Sequence, residues 1–137
     1  MNRRKARENA FIAQFAASFG GEVEKPEEGE APEYELDDFS QGLLDLYDAH
    51  AAEIDAEIEN HLKGWRVQRI QKVSLAILRN SVAEMLYTGE DLDSVIINEA
   101  VELSKKFGDD QDYQFINGVL GSISRERAAA PKEGAEC

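Results

Sequence analysis

Apolar side chains return every three to four positions along most of this chain, and no segment needs the period of two that marks a strand. From Asn2, the positions Ala6, Ala10, Phe11, Phe15 and Phe19 predict a first helix with an aromatic stripe at four-residue spacing, stopped by Gly20 and Gly21. A second helix of about six turns is expected from a cap at Ser40 to Gly64, carrying Leu43, Tyr47, Ile54, Ile58 and Leu62. Trp65, Val67 and Ile70 predict a short helix or turn, with Trp65 as a plug between bundle halves. Ser74 is the expected cap of a helix with Leu75, Leu78, Val82, Met85 and Leu86 on one side, ended by Gly89. Asp91 or Asp93 then opens a helix that turns Ile96, Ala100, Leu103 and Phe107 inward. Its last turn holds Lys105 and Lys106 before Gly108, where positive charge suits the negative end of the helix dipole. The final helix starts at Asp109, Asp110 or Asp112 and presents Phe115, Ile116, Val119, Leu120 and Ile123. Gly118 and Gly121 inside it each cost about 1 kcal/mol against alanine, so a close backbone crossing is expected on that side.

These elements predict an all-α, compact helical bundle of about six to seven helices. Residues 1–127 would form one helical domain, with a flexible acidic linker at 22–38 and a frayed tail at 128–137. The chain of 137 residues has 42% hydrophobic composition, enough for a real core, and is short for a cofactor enzyme. No run approaches the roughly 18 apolar residues of a membrane helix, and no apolar signal core follows the basic start. A cytoplasmic protein is expected. The one cysteine, Cys137, gives no internal disulfide and no thiolate metal cluster.

The formal charge of −13 at first argues against a polyanionic partner. Its distribution changes that picture. Glu22 to Asp38 holds nine acids against Lys25, a local net charge of −8. The cluster Arg3, Arg4, Lys5 and Arg7 therefore stands out at the other end of the charge scale. It lies at and before a first helical turn, where positive charge opposes the dipole. Phosphate contacts would explain a placement against local preference, and an ordinary solvated basic terminus is the alternative.

Other candidate chemistry is thin. His50 and His61 lie about 16 Å apart along one helix, so they cannot jointly hold one ion within it, and no metal or cofactor is expected. No Gly-rich phosphate loop or nucleophile elbow marks the many carboxylates. Glu84 lies off the apolar stripe of its helix, which suits either a solvated acid or a charged contact to a basic partner. Phe15, on the aromatic stripe of the first helix, can pack in the core. Arg79 can orient the surroundings of Glu84, or meet a partner or RNA. Asn117 reads as a structural hydrogen-bonding residue.

INEAVELSKKFG at Ile97–Gly108, FINGVL at Phe115–Leu120, ILR at Ile77–Arg79, Glu84 and the basic start NRRKAR together resemble the NusB family of bacterial antitermination factors. The resemblance covers Arg3 to about Phe19 and Trp65 to Ile123, with 43–62 agreeing as an amphipathic helix. It implies two packed helical subdomains. It also implies a noncatalytic factor that binds boxA-type single-stranded RNA together with the ribosomal protein NusE, within the RNA polymerase antitermination complex. On this basis Arg3, Arg4, Lys5 and Arg7 would contact RNA, while Phe15, Arg79 and Glu84 would serve partner binding. The chain departs from the family pattern at Asn80, Ser81, Ala83 and Ser104. A protein-only module on the same fold, or a homodimer without boxA binding, is the alternative. An RNA methyltransferase is a third reading, for which no cofactor-binding strand pattern is seen.

Overall fold

The computed structural model describes residues 2–19, 35–64, 66–90 and 92–129. Trp65, Asp91, Gly20, Gly21, most of the acidic segment and the end of the expected tail lie outside them. The described residues form five α-helices: α1 (Arg3–Ala17), α2 (Asp38–Asn60), α3 (Lys72–Tyr87), α4 (Asp93–Phe107) and α5 (Asp112–Ala129). A single 3-10 turn, Val67–Arg69, stands where a short helix or turn is expected. The count is thus five helices rather than six or seven, because the segment between α2 and α3 completes only one turn.

Several predicted caps shift by a few residues, each for a visible reason. Asn2 caps α1, its side chain accepting from the Lys5 backbone N–H at 2.8 Å. Asp37, not Ser40, caps α2 by accepting from the Ser40 backbone N–H at 2.8 Å. That bond holds the Asp37 carboxyl below its ordinary pKa. Ser40 sits inside the helix with no exposed surface; its hydroxyl donates to the Ala6 carbonyl at 2.9 Å or to Asp37 at 2.8 Å. Ser74 likewise lies inside α3, which begins at Lys72. At the far end of α1, Lys72 donates to the Ser18 carbonyl at 2.8 Å and so closes a helix terminus from a neighbouring element.

The expected long second helix is kinked. His50 leaves helical geometry (φ −127°, ψ 26°), and its ring stacks on Tyr87 with centroids 3.9 Å apart. The bend lets Leu43 and the pair Ile54 and Ile58 all reach the interior from one helix.

One apolar cluster runs from Phe11 through Ile54, Ile58, Ile77, Leu78 and Val82 to Ile116, Leu120 and Ile123. Helix α3 occupies its centre and packs on all four other helices. A helix enclosed on every side has no solvated face. Alongside the predicted stripe, Ala76, Ile77, Asn80, Ser81, Ala83 and Glu84 are therefore also buried. At the periphery the reverse holds: Phe19 is 60% exposed, and Phe115 and Phe107 remain more than a third exposed, although the Phe107 ring rests on core residue Phe11 with centroids 4.9 Å apart. Helix α4 ends at Gly108, where a Cβ would lie 2.9 Å from the Ser104 carbonyl oxygen, too close for any other residue without movement. The close crossing expected at Gly118 and Gly121 is not found: a Cβ at Gly118 would meet open space, and one at Gly121 only the Arg125 guanidinium.

Candidate nucleic-acid interface

The first turns of α1 present one basic run to two environments. A helical period of 3.6 residues carries Arg3, Arg4 and Lys5 to the surface and brings Arg7 round to α3. Arg3 lays its guanidinium over the Phe39 ring at 3.9 Å, and among the described residues no carboxylate pairs with it. Arg4 is 69% exposed at its side chain and grips Glu99 of α4 through two bonds of 3.1 Å. Those bonds raise the Arg4 pKa further above its ordinary value. Lys5 reaches Glu8 at 3.3 Å, and Glu8 also accepts from Lys106 at the end of α4. With Lys106 as the main cause, the Glu8 carboxyl is held below its ordinary pKa of 4.5. The exposed cations of α1 and the last turn of α4 thus share one face, interleaved with Glu8 and Glu99.

Arg7 belongs to a different setting. It is 9% exposed and makes a bidentate pair with Glu84, Nε to Oε1 at 2.9 Å and Nη2 to Oε2 at 2.7 Å. Two sequence-selected residues, one expected at RNA and one in solvent or at a partner, therefore meet each other across 77 positions of chain. Glu84 is 2% exposed, an interior position in place of the expected surface one, because it projects from the enclosed helix α3. Next along the same interface, Gln14 donates to Asn80 at 2.9 Å. The side-chain oxygen of Asn80, a residue that departs from the family pattern, is thereby matched by a polar residue of α1, while its amide nitrogen stays buried without a partner.

Arg79 lies on the opposite side of α3. Its guanidinium holds Asp55 through two bonds of 3.0 Å and stands 5.0 Å from the Tyr47 ring, fastening α3 to α2. The Tyr47 hydroxyl donates to the same carboxylate at 3.1 Å, and burial pushes its pKa up to about 12. Arg79 does not touch Glu84 and faces neither the basic turn nor Phe15. Phe15 is partly buried in a short aromatic ladder, 5.9 Å from Phe11 and 5.0 Å from Phe19, whose outer ring has Lys72 Nζ 4.9 Å above it. The ladder runs from the core to open surface.

The sequence reading missed Glu99, Glu8 and Lys106 as members of the basic face. The helix dipole alone accounts for Lys106 in the sequence, and nothing in its local pattern shows that α1 lies alongside. It also missed a group formed by Glu57, His61 and Glu126. The four-residue spacing of Glu57 and His61 was the available signal, but its third member comes from α5.

Residues 4–125 match the family model described as NusB family. A protein of Bacillus mycoides (strain KBAB4) named transcription antitermination protein NusB is 41% identical over 130 residues, covering 90% of this chain and 97% of its own. Among solved structures, NusB of T. maritima superposes with a TM-score of 0.77 at 26% identity, covering 100% of this chain and 99% of its own. The structure described as antitermination factors NusB and NusE in complex with dsRNA gives 0.74 at 28% identity, covering 90% and 96%.

Proposed function

We infer the function from the premise that this chain belongs to the NusB family: it is a transcription antitermination factor that binds RNA jointly with the ribosomal protein NusE. The observation on this chain that supports the reading best is the exposed basic turn Arg3, Arg4 and Lys5, set beside Lys106 on a helix whose inner side is anchored by Arg7. The RNA would be a boxA-type single strand. The protein acts in the cytoplasm by assembly and without catalysis; no helix among the described residues is long and apolar enough to cross a membrane.

Arg3, Arg4 and Lys5 take the phosphates in this reading. For Arg4 and Lys5, whose side chains are 69% and 58% exposed, RNA phosphate reaches the solvent-facing part of each cation, while the largely covered carboxylates of Glu99 and Glu8 hold the other part. Arg7 acts as a positioning residue, since its bond to Glu84 fixes the register of α1 on α3 and hence where the three outer cations point. Phosphate contacts set affinity and orientation, whereas unstacked bases need further surface to be read. NusE supplies that surface, and linking two weak sites on one RNA raises the affinity of both. Phe15, with exposed Phe19 beside it, is the proposed partner contact; Arg79 and Glu84 contribute by holding α2 and α1 against α3.

Fluorescence anisotropy of labelled boxA RNA tests this with the protein alone, NusE alone and the mixture, each at two salt concentrations. The mixture should bind more tightly than either component and prefer boxA over a scrambled strand. An equal affinity for mixture and components would overturn the joint reading and leave a protein-only module on the same fold.

A further inference from the structure

On the face away from the basic turn, the end of α2 meets the last turns of α5 through His61. The imidazole Nδ1 lies 2.7 Å from the Ser122 hydroxyl, and the side chain is only 6% exposed. Its other nitrogen, Nε2, is buried and lacks a hydrogen-bond partner. Yet it stands 3.3 Å from a Glu57 carboxylate oxygen and 3.2 Å from one of Glu126. Neither oxygen lies where an Nε2–H would donate to it. Two carboxylates and a buried ring nitrogen thus converge with no hydrogen bond to hold them together.

A cation between the three groups would offset the convergence of two carboxylates on an unpartnered ring nitrogen. Four-coordinate zinc binds imidazole nitrogen and carboxylate oxygen at about 2.0–2.2 Å, which separates neighbouring donors of a tetrahedron by about 3.4 Å. The two observed nitrogen–oxygen distances fall close to that edge, and the three donor atoms all lie within 4.8 Å of one another. With its proton on Nδ1 the ring donates to the Ser122 hydroxyl, an outer bond of the kind metal-binding histidines commonly have, which fixes the ring and leaves the Nε2 lone pair free. We propose that Glu57, His61 and Glu126 form a zinc-binding site with a fourth position open to water or a further ligand.

The site joins helices that otherwise touch only marginally, so the ion fastens the end of α5 to the end of α2. Glu57 and His61 are four residues apart on one helical face and are pre-aligned by it. Glu126, 65% exposed, arrives from the other helix and can close on the ion without disturbing the core. The exclusion of a joint His50 and His61 site is unaffected, since His50 is stacked on Tyr87.

The test uses the full chain with 15N-labelled histidine, titrated with zinc and followed by two-bond proton–nitrogen correlation. The chain has two histidines, so His50 serves as the internal control. The expected result is a shift of His61 Nε2 that saturates at one equivalent, with His50 unmoved. Glu126→Gln, at an exposed position, should weaken zinc binding at least about tenfold while leaving the circular dichroism spectrum unchanged, and Ser122→Ala should weaken it by about 10–100-fold. Loss of the His61 response in Glu57→Gln would add the third ligand. An equal response of both histidines would mean scattered binding to the many acidic residues and would overturn the proposal. So would unaltered affinity in Glu126→Gln, or a His61 ring that stays protonated on both nitrogens and indifferent to zinc.

Discussion

Arg4 and Arg7 lie three residues apart on one helix, and each holds a glutamate through two hydrogen bonds, but the two regions they occupy differ in depth. In the Arg4–Glu99 pair the arginine side chain is 69% exposed and the glutamate 14%, whereas the Arg7–Glu84 pair is sealed between α1 and α3 at 10% and 3%. In water, charge attraction is offset by lost solvation and side-chain entropy, so the exposed Arg4 is held only weakly by its glutamate. In the interior, desolvation has already been incurred for both charges, and each depends on the other to offset it. Similar chemistry therefore gives a solvent-accessible cation at one position and a structural clamp at the other.

The largest effect should come from breaking the inner pair on one side. Glu84→Ala leaves the Arg7 guanidinium buried without its counter-charge and should cost about 3–5 kcal/mol in urea unfolding, a large share of the stability of a domain this size. The contrast sharpens with the double change Arg7→Met and Glu84→Leu, which removes both charges and should recover most of that loss. A single-variant loss near zero would show that water enters the interface. Next in size, replacing Arg3, Arg4 and Lys5 together by alanine should lower the slope of log affinity against log salt by about 2 for a single-stranded RNA, with helix content intact. A slope equal to that of the parent would move the phosphate contacts elsewhere.

Acid offers a smaller effect on the outer face. The folded-state pKa of Glu8 is lowered by Lys106 and then Lys5, so its contribution to stability is present above about pH 4.5 and is lost as pH falls through the depressed folded value. Glu8→Gln should flatten the acid limb of the stability profile in that window; an unchanged limb would mean that the bridge contributes nothing in solution. The smallest effect is expected for Arg4→Ala on stability alone, where the thermal midpoint should stay at the parent value while RNA affinity falls. A drop comparable to that of Glu84→Ala would erase the distinction between the two regions.

Much of this was legible from the pattern of residues, and the misses have a common cause. The amphipathic stripes located all five helices because a half-solvated helix must segregate its side chains. That signal fails for α3, which is surrounded: Glu84 and Asn80 lie off its stripe, and periodicity reads them as solvated. At the edges the same logic overreached, as Phe115 and Phe107 carry the right spacing without a neighbour to cover them fully. The caps moved from Ser40 to Asp37 and from Ser74 to Gln71 because serine hydroxyls at those positions were taken into helix contacts or buried faces.

By itself the sequence determined the helical class, the stretch that carries most of the net negative charge, the basic start of α1 and the motifs that identify the family. These are local properties, written in spacing and composition within a few turns. Only the tertiary structure decided which cation meets which carboxylate: Arg7 with Glu84, Arg4 with Glu99, Lys106 with Glu8, and His61 with Glu57 and Glu126. Most of those pairings join positions between 65 and 98 residues apart, and their depth follows from which helix is enclosed. The energy of a charge depends on its distance from water and from its partner, and both are set when the helices pack.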